Sequence, residues 1–210
     1  MAKLQDIIQW CDQTLKSSEF KDYAPNGLQI EGKTEVRKIL AAVTASQDAI
    51  DAAIRENADL LLVHHGYFWK GEAYPITGMR GKRIKSLIQH DISLLAYHLP
   101  LDSHPSLGNN AAIADLLKLE RIEALDPSER HPIGNIGYLK QPMPVEEFKT
   151  FVSEKLKFDV TYLPADKNMI EKVGFCTGGA QDFIVKAAEQ GCDAYISGEV
   201  SERTFYEAKE

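Results

Sequence analysis

Short runs of consecutive apolar residues alternate along this chain with segments whose apolar residues recur every three or four positions. That alternation is expected when buried parallel strands are joined by amphipathic helices. Leu4, Ile7, Ile8, Cys11 and Leu15 mark one face of an opening helix. Tyr23-Ala24-Pro25-Asn26-Gly27 is turn chemistry, leading into a short alternating strand, Leu28-Gln29-Ile30, closed by Gly32. Ile39 to Val43 reads as a buried strand, and Ser46 or Thr44 is placed to cap a helix from Gln47 to about Glu56. Asn57 ends that helix, and Leu60-Leu61-Leu62-Val63 follows as a strand buried on both faces. Ile39 to Gly66 is therefore one strand-helix-strand unit, near the shortest that allows a right-handed parallel crossover. A helix through Gly81 to Gln89 then precedes a third buried strand, Ile92 to Leu99, and Gly108-Asn109-Asn110 opens a helix over Ala111 to Leu117.

The unit recurs. Setting Gln47-Asp48 against Gln181-Asp182 gives an offset of 134, which puts Ile39 on Val173, Ile50 on Ile184, Asp59 on Asp193 and Leu62 on Ile196. His64 and His65 then fall on Gly198 and Glu199, so the second copy offers a carboxylate where the first offers imidazoles. Between the copies, a proline-rich stretch from Asp126 to about Asn168 breaks the pattern with a strand at Ile136–Leu139 and a helix at Val145–Leu156. The expected fold is α/β: two pseudo-repeated strand-helix-strand units forming a mixed or parallel sheet core, with a smaller inserted α+β lobe. The expected divisions are residues 1–125 (first α/β half), 126–170 (inserted lobe) and 171–210 (start of the second half). The first copy continues to a third strand, so the repeat predicts a counterpart beyond Glu210, in a C-terminal part missing from this sequence.

Composition narrows the setting. Hydrophobic residues make up 44% of the 210 positions, enough for a sizeable core. Lys and Arg number 24 against 31 Asp and Glu, a net charge of -7 that disfavours direct nucleic-acid binding or an anionic membrane surface. No apolar run approaches the roughly 20 residues that span a bilayer, and the start is no signal peptide, so a cytoplasmic location is expected. Cys11, Cys176 and Cys192 are odd in number and lack C-x-x-C spacing, which argues against a disulfide framework or a thiolate zinc site.

The chemistry concentrates where apolar runs stop. His64 and His65 end the second strand, at the sheet edge where open α/β folds bind ligands. His98 and Asp102 arrive at the end of the third strand, and the spacing from His64 to Asp102 suits one helix and one strand, so neighbouring strands would bring them together. His64, His65 and Asp102 are thus candidate metal ligands. Successive strand residues face opposite sides, so one histidine to each of two ions fits better than both on one. Two ions about 3.5 to 4 Å apart would activate a water for hydrolysis, and the mixed ligand set suits zinc, manganese, iron or nickel. His98 and Glu199 are candidates for proton transfer or for supporting a ligand. The bland readings are a histidine pair that merely ends a strand and a hydrogen-bonded core histidine at position 98. His90, His104 and His131 carry only such bland readings. Tyr67-Phe68-Trp69 would stack a planar base or pack into a subunit interface. The basic run Arg80 to Lys85 would meet phosphate or form a solvated helix face. Thr177-Gly178-Gly179, at a strand-to-helix turn, is a weak phosphate-binding signal.

Several of these motifs occur together: Tyr23-Ala24-Pro25-Asn26-Gly27-Leu28-Gln29-Ile30-Glu31-Gly32, Val63-His64-His65-Gly66-Tyr67-Phe68-Trp69, His98-Leu99-Pro100-Leu101-Asp102, and Cys176-Thr177-Gly178-Gly179 with Ser197-Gly198-Glu199. In order and spacing they resemble the Nif-three-like dinuclear metal proteins, also called GTP cyclohydrolase 1 type 2 homologues. The resemblance implies a two-domain α/β protein assembled as a toroidal homohexamer, with two divalent metal ions per subunit held by His64, His65 and Asp102. It also implies a late His-x-x-x-Glu motif, which does not occur up to Glu210. The implied activity is hydrolysis of a nucleotide or pterin-like small molecule. The alternative is a non-catalytic metal-binding regulatory or scaffold protein forming a ring-shaped oligomer.

Overall fold

The structure is a computed structural model describing residues 1–210, and it divides into two units, Met1–Leu101 and Asp102–Glu210. Both are mixed α/β.

In the first unit, β1 (Ala2–Lys3) leads directly into α1 (Leu4–Leu15), and β1 pairs antiparallel with β3 (Glu35–Val36). The main sheet contains β2 (Gly27–Ile30), β4 (Ile39–Thr44), β5 (Leu60–His65) and β6 (Ser93–Ala96), in the spatial order β2-β6-β5-β4. Strands β4, β5 and β6 are parallel, and β2 closes the other edge antiparallel to β6. The crossovers are α2 (Gln47–Arg55) and α3 (Gly78–Gln89). Ser46 caps α2, its Oγ accepting from the Ala49 N–H at 3.2 Å.

The period of two in β5 divides its side chains between two cores. Leu61 and Val63 pack with Ile50, Ala53, Ile84 and Leu87 of α2 and α3, while Leu60 packs with Leu4, Ile8 and Cys11 of α1. Burial on both faces, expected from the unbroken Leu60–Val63 run, is what the sheet shows. Strand β4 differs from expectation. It forms as an edge strand with one face open: Ile39 is 46% and Val43 68% exposed, while Leu40 and Ala42 on the other face pack against the core under α2 and α3. The third strand is also shorter than expected, ending at Ala96, so His98 lies in the turn that follows it.

The four-residue helix α4 (Leu99–Asp102) crosses the division between the units. The second unit holds α5 (Asn109–Leu116), β7 (Glu120–Ala124), β8 (Asn135–Pro144), α6 (Val145–Leu156), β9 (Met169–Cys176), α7 (Ile184–Glu189), β10 (Ala194–Ser197) and α8 (Glu202–Lys209). Its sheet order is β10-β9-β8-β7, with β9 and β10 parallel and the other pairs antiparallel. β8 and α6, from the stretch 126–170, belong to this unit: β8 pairs with β9, and Phe148 and Val152 of α6 pack with Val173 and Phe175.

The repeat is visible in the internal geometry of each unit. Ile39 pairs with Leu60 in one and Val173 with Ala194 in the other, the same register after the offset. Asp59 accepts from the backbone N–H groups of Arg37 and Lys38 and pairs with Lys33; Asp193 accepts from those of Glu171 and Lys172 and pairs with Lys167. Even the donation of Lys38 Nζ to the Glu56 carbonyl recurs, as Lys172 Nζ to Gln190. Each aspartate thus staples the backbone just before the Ile39 or Val173 position of its repeat's first strand to the start of the second. No helix is long and apolar enough to cross a membrane.

Candidate metal centre

Three adjacent strand ends build the site in the first unit. Because β5 lies between β4 and β6 in parallel register, its carboxyl end sits beside theirs, and Thr44 pairs directly with His65. The ring centroids of His64 and His65 are 4.4 Å apart, and those of His98 lie 5.0 Å from His64 and 5.7 Å from His65. One ligand nitrogen from each ring falls within 4.8 Å of the others. Alternation along an extended strand favoured one histidine to each of two ions, and the geometry brings both rings into one cluster. At the strand terminus both rings converge, and both can reach one ion. His98, expected as a proton-transfer or supporting group, stands within the same cluster.

Each ring is held from behind through Nδ1. His64 Nδ1 lies 3.0 Å from the Tyr97 carbonyl, which only accepts, so this nitrogen carries the proton. His65 Nδ1 is 3.2 Å from Thr44 Oγ1. His98 Nδ1 is 2.7 Å from Asp22 Oδ1. With Nδ1 engaged, Nε2 is the nitrogen each ring would offer to an ion, the usual arrangement behind a ligating imidazole. Burial works to raise the Asp22 carboxyl pKa, but hydrogen bonds from His98 and Asn26, the His98 charge and the Leu99 N–H hold it at about 2.

The loop after β5 closes over this cluster. Gly66 is required by crowding: a Cβ there would lie 2.7 Å from Ala96 Cβ and closer still to Gln29 Oε1. Of the three aromatic residues that follow, Tyr67 is core. Its hydroxyl donates to the Ala45 carbonyl at 2.7 Å and is pushed up to about 12 by burial, against the opposing influence of Arg83. Trp69 packs edge-on against His98, with centroids 4.9 Å apart, and donates Nε1–H to the Gly66 carbonyl. Only Phe68 is exposed. The basic helix α3 contributes a staple to the loop: Arg80 bonds Glu72 at 2.6 Å and the carbonyls of Ala73 and Pro75. His90 and His104 bond local backbone.

Asp102 belongs to the second unit, where it is 6% exposed and accepts from Asn109 Nδ2 at 2.7 Å and Thr177 Oγ1 at 3.3 Å. Asn110, also buried, accepts the Thr177 N–H and donates to the Ile133 carbonyl. Burial and the Asp102 charge push the Cys176 thiol up to about 12, against a hydrogen bond from Asn110, so it is neutral. The turn Gly178-Gly179 meets Gly198 so closely that a Cβ on Gly198 would lie 2.8 Å from the Gly178 nitrogen. Glu199 follows, exposed, with its carboxylate over Gly179.

Asp22, Asn26 and Gln29 are the positions that sequence reasoning missed. The turn motif around them was legible, but its role was not: Asp22 meets His98 across 76 residues of chain, a separation at which no local spacing rule operates.

A mixed sheet whose parallel strand ends gather three imidazoles, each engaged at Nδ1, defines an α/β protein with a histidine cluster positioned to take a metal ion. The chain belongs to the Duf34/NIF3 (NGG1p interacting factor 3) family, which it matches over residues 2–210. It is 51% identical over 207 residues to the GTP cyclohydrolase 1 type 2 homolog of Haemophilus influenzae, covering 98% of this chain and 82% of that protein. The homolog of the same name from Vibrio cholerae is 50% identical over 203 residues, 95% of this chain and 79% of its own length. Among solved structures, the protein ybgI, described as of unknown function, superposes with a TM-score of 0.93 at 43% identity, over 99% of this chain and 82% of that one.

Proposed function

We propose that His64, His65 and His98 hold a divalent metal ion and that the protein is a metal-dependent hydrolase of a nucleotide or pterin-like substrate. The observation that carries this reading is the convergence of three imidazoles, each with Nδ1 engaged, within 4.8 Å at adjacent strand ends. The donor set fits the group: neutral imidazoles suit zinc, manganese, iron or nickel. When bound, such an ion polarises a substrate oxygen and makes a water acidic enough to attack near neutral pH. The chain's own residues orient and shield: Trp69 covers one side of His98, and Gly66 lets the loop approach the β6 end. The relatives' name, GTP cyclohydrolase 1 type 2 homolog, directs the substrate class towards GTP-like molecules.

Asp102 is proposed as a further ligand and Glu199 as a proton-transfer group, from the strand-end pattern and the repeat, and a second ion follows from that larger ligand set. Metal content by plasma mass spectrometry, with GTP hydrolysis followed by product chromatography, tests the reading. Bound metal should fall on His98→Ala and on Asp102→Ala, and turnover should require added metal. Metal content unchanged in His64→Ala and His98→Ala would refute it.

One observation favours a second reading, a metal-binding scaffold that assembles into a homohexameric ring: β4 presents an exposed apolar face at Ile39 and Val43 beside an open sheet edge, a surface another copy would cover. Analytical ultracentrifugation of Val43→Lys distinguishes it, since a lysine on that edge should weaken assembly without unfolding the chain.

A further inference from the structure

The carboxylate of Asp22 is almost wholly enclosed, with 3% of its side chain exposed, and besides the His98 ring it meets three donors. Oδ1 accepts from the Tyr23 N–H at 2.6 Å and lies 2.7 Å from His98 Nδ1; Oδ2 accepts from Asn26 Nδ2 and from the Leu99 N–H, each at 2.9 Å. Asn26 in turn accepts the His98 N–H on its own Oδ1 at 2.8 Å, which fixes the orientation of its amide. The ring, the backbone on both sides of it and the turn at 22–26 are thus locked to one another.

We infer that Asp22 is a positioning residue: it holds His98 as the Nδ1–H tautomer and so presents the Nε2 lone pair to the histidine cluster. The logic is a donor count. A carboxylate already receiving two backbone N–H groups and an amide can only accept from the imidazole, so the Nδ1 proton is fixed. The same turn reaches the other loop of the site. Gln29 Oε1 accepts the Tyr67 N–H at 2.7 Å, and the Tyr23 carbonyl accepts the Lys70 N–H at 2.6 Å. One turn therefore sets the His98 ring and the loop after His65 in mutual register, which explains why Asp22, outside the cluster, would control its metal affinity. An asparagine at 22 cannot substitute silently. Whichever way its amide is turned, an N–H faces a backbone donor, that of Tyr23 or that of Leu99.

This inference rests on the proposed metal reading for its affinity consequence and not for the tautomer. Nitrogen-15 NMR of the metal-free protein, with histidine resonances assigned through His98→Ala, should show the wild-type His98 ring as Nδ1–H and a shift towards mixed tautomers in Asp22→Asn and Asp22→Ala. Zinc and cobalt titrations of the same variants should show about 10-fold or greater loss of affinity, the usual cost of removing a carboxylate behind a ligating imidazole. Asp59→Asn, which removes a buried structural carboxylate of the same unit, should leave both readouts unchanged. An Nε2–H wild-type tautomer would overturn the inference without any variant having to fold. So would unchanged tautomer and affinity in Asp22→Ala. A wild-type protein that binds neither metal would sink the proposed function while the tautomer measurement still decides the role of Asp22.

Discussion

Gly66→Ala probes the joint between the histidine strand and the loop that covers it. The added methyl would sit 2.7 Å from Ala96 Cβ, which is buried on the neighbouring strand and has nowhere to move, and closer still to Gln29 Oε1. Overpacking of this kind costs about 1–3 kcal/mol. Gln29 can swing away, but its oxygen then abandons the Tyr67 N–H it accepts at 2.7 Å, and a buried unpaired donor adds about 1–3 kcal/mol. The expected total is roughly 2–6 kcal/mol, lowering the melting temperature by roughly 4–24 °C for a chain of this size. Differential scanning calorimetry of Gly66→Ala, Gln29→Ala and the double variant measures it. Both single changes lose the same Gln29–Tyr67 bond, so the double variant should cost less than the two costs added. Strict additivity, or a Gly66→Ala melting temperature equal to wild type, would refute the steric account.

Three further outcomes follow from the scaffold. Leu94→Ala, at a fully buried position of β6, should destabilise by about 2–5 kcal/mol in urea unfolding. Ser46→Ala removes the acceptor for the Ala49 N–H and should cost about 1 kcal/mol by the same measurement. The Lys33 hydrogen bond first, then the Arg37 N–H, holds the Asp59 carboxyl below its usual range, so its contribution is fully present above about pH 4 and lost as pH falls through the depressed value. Wild-type stability should therefore fall more steeply below pH 4 than that of Asp59→Asn, and parallel curves would show that Asp59 is not the group responsible.

The elements were legible wherever a local rule dictates them: the Val145–Leu156 helix, the Ser46 cap and the doubly buried Leu60–Val63 run are all visible as pattern, and all are present. Exposure of β4 was not legible. Its apolar run has the composition of an inner strand, and only the fold decides that it lies at the edge with the Ile39–Val43 face uncovered. The histidines were legible as strand-end chemistry, but their convergence was not, because alternation of side chains applies within an extended strand and relaxes where the strand gives way to a loop at Gly66. Asp22 was hidden for a different reason. Its bond to the Tyr23 N–H is the local signature of a turn, which is all that a sequence pattern reports; the bonds to His98 and Leu99 require the fold.

The two units carry the same staple at the same end and different residues at the other. Asp59 and Asp193 precede β5 and β10 and tie down the backbone just before Ile39 of β4 and Val173 of β9, while six residues later the first copy reads His65 and the second Glu199. An extended strand advances about 3.3 Å per residue, so staple and ligand end lie roughly 20 Å apart, beyond the reach of direct packing or of screened charge. Stability is thereby anchored where no chemistry happens, and the ligand ends of the copies are released to diverge from imidazole to carboxylate without loss of the fold. Asp59→Asn should accordingly cost about 2 kcal/mol through its lost charged hydrogen bonds, and Asp193→Asn less, because its side chain is 22% exposed against 9%. Neither should change zinc affinity measured by calorimetric titration. A loss of affinity in Asp59→Asn comparable to that expected of Asp22→Ala would mean that the two ends of β5 are energetically coupled after all.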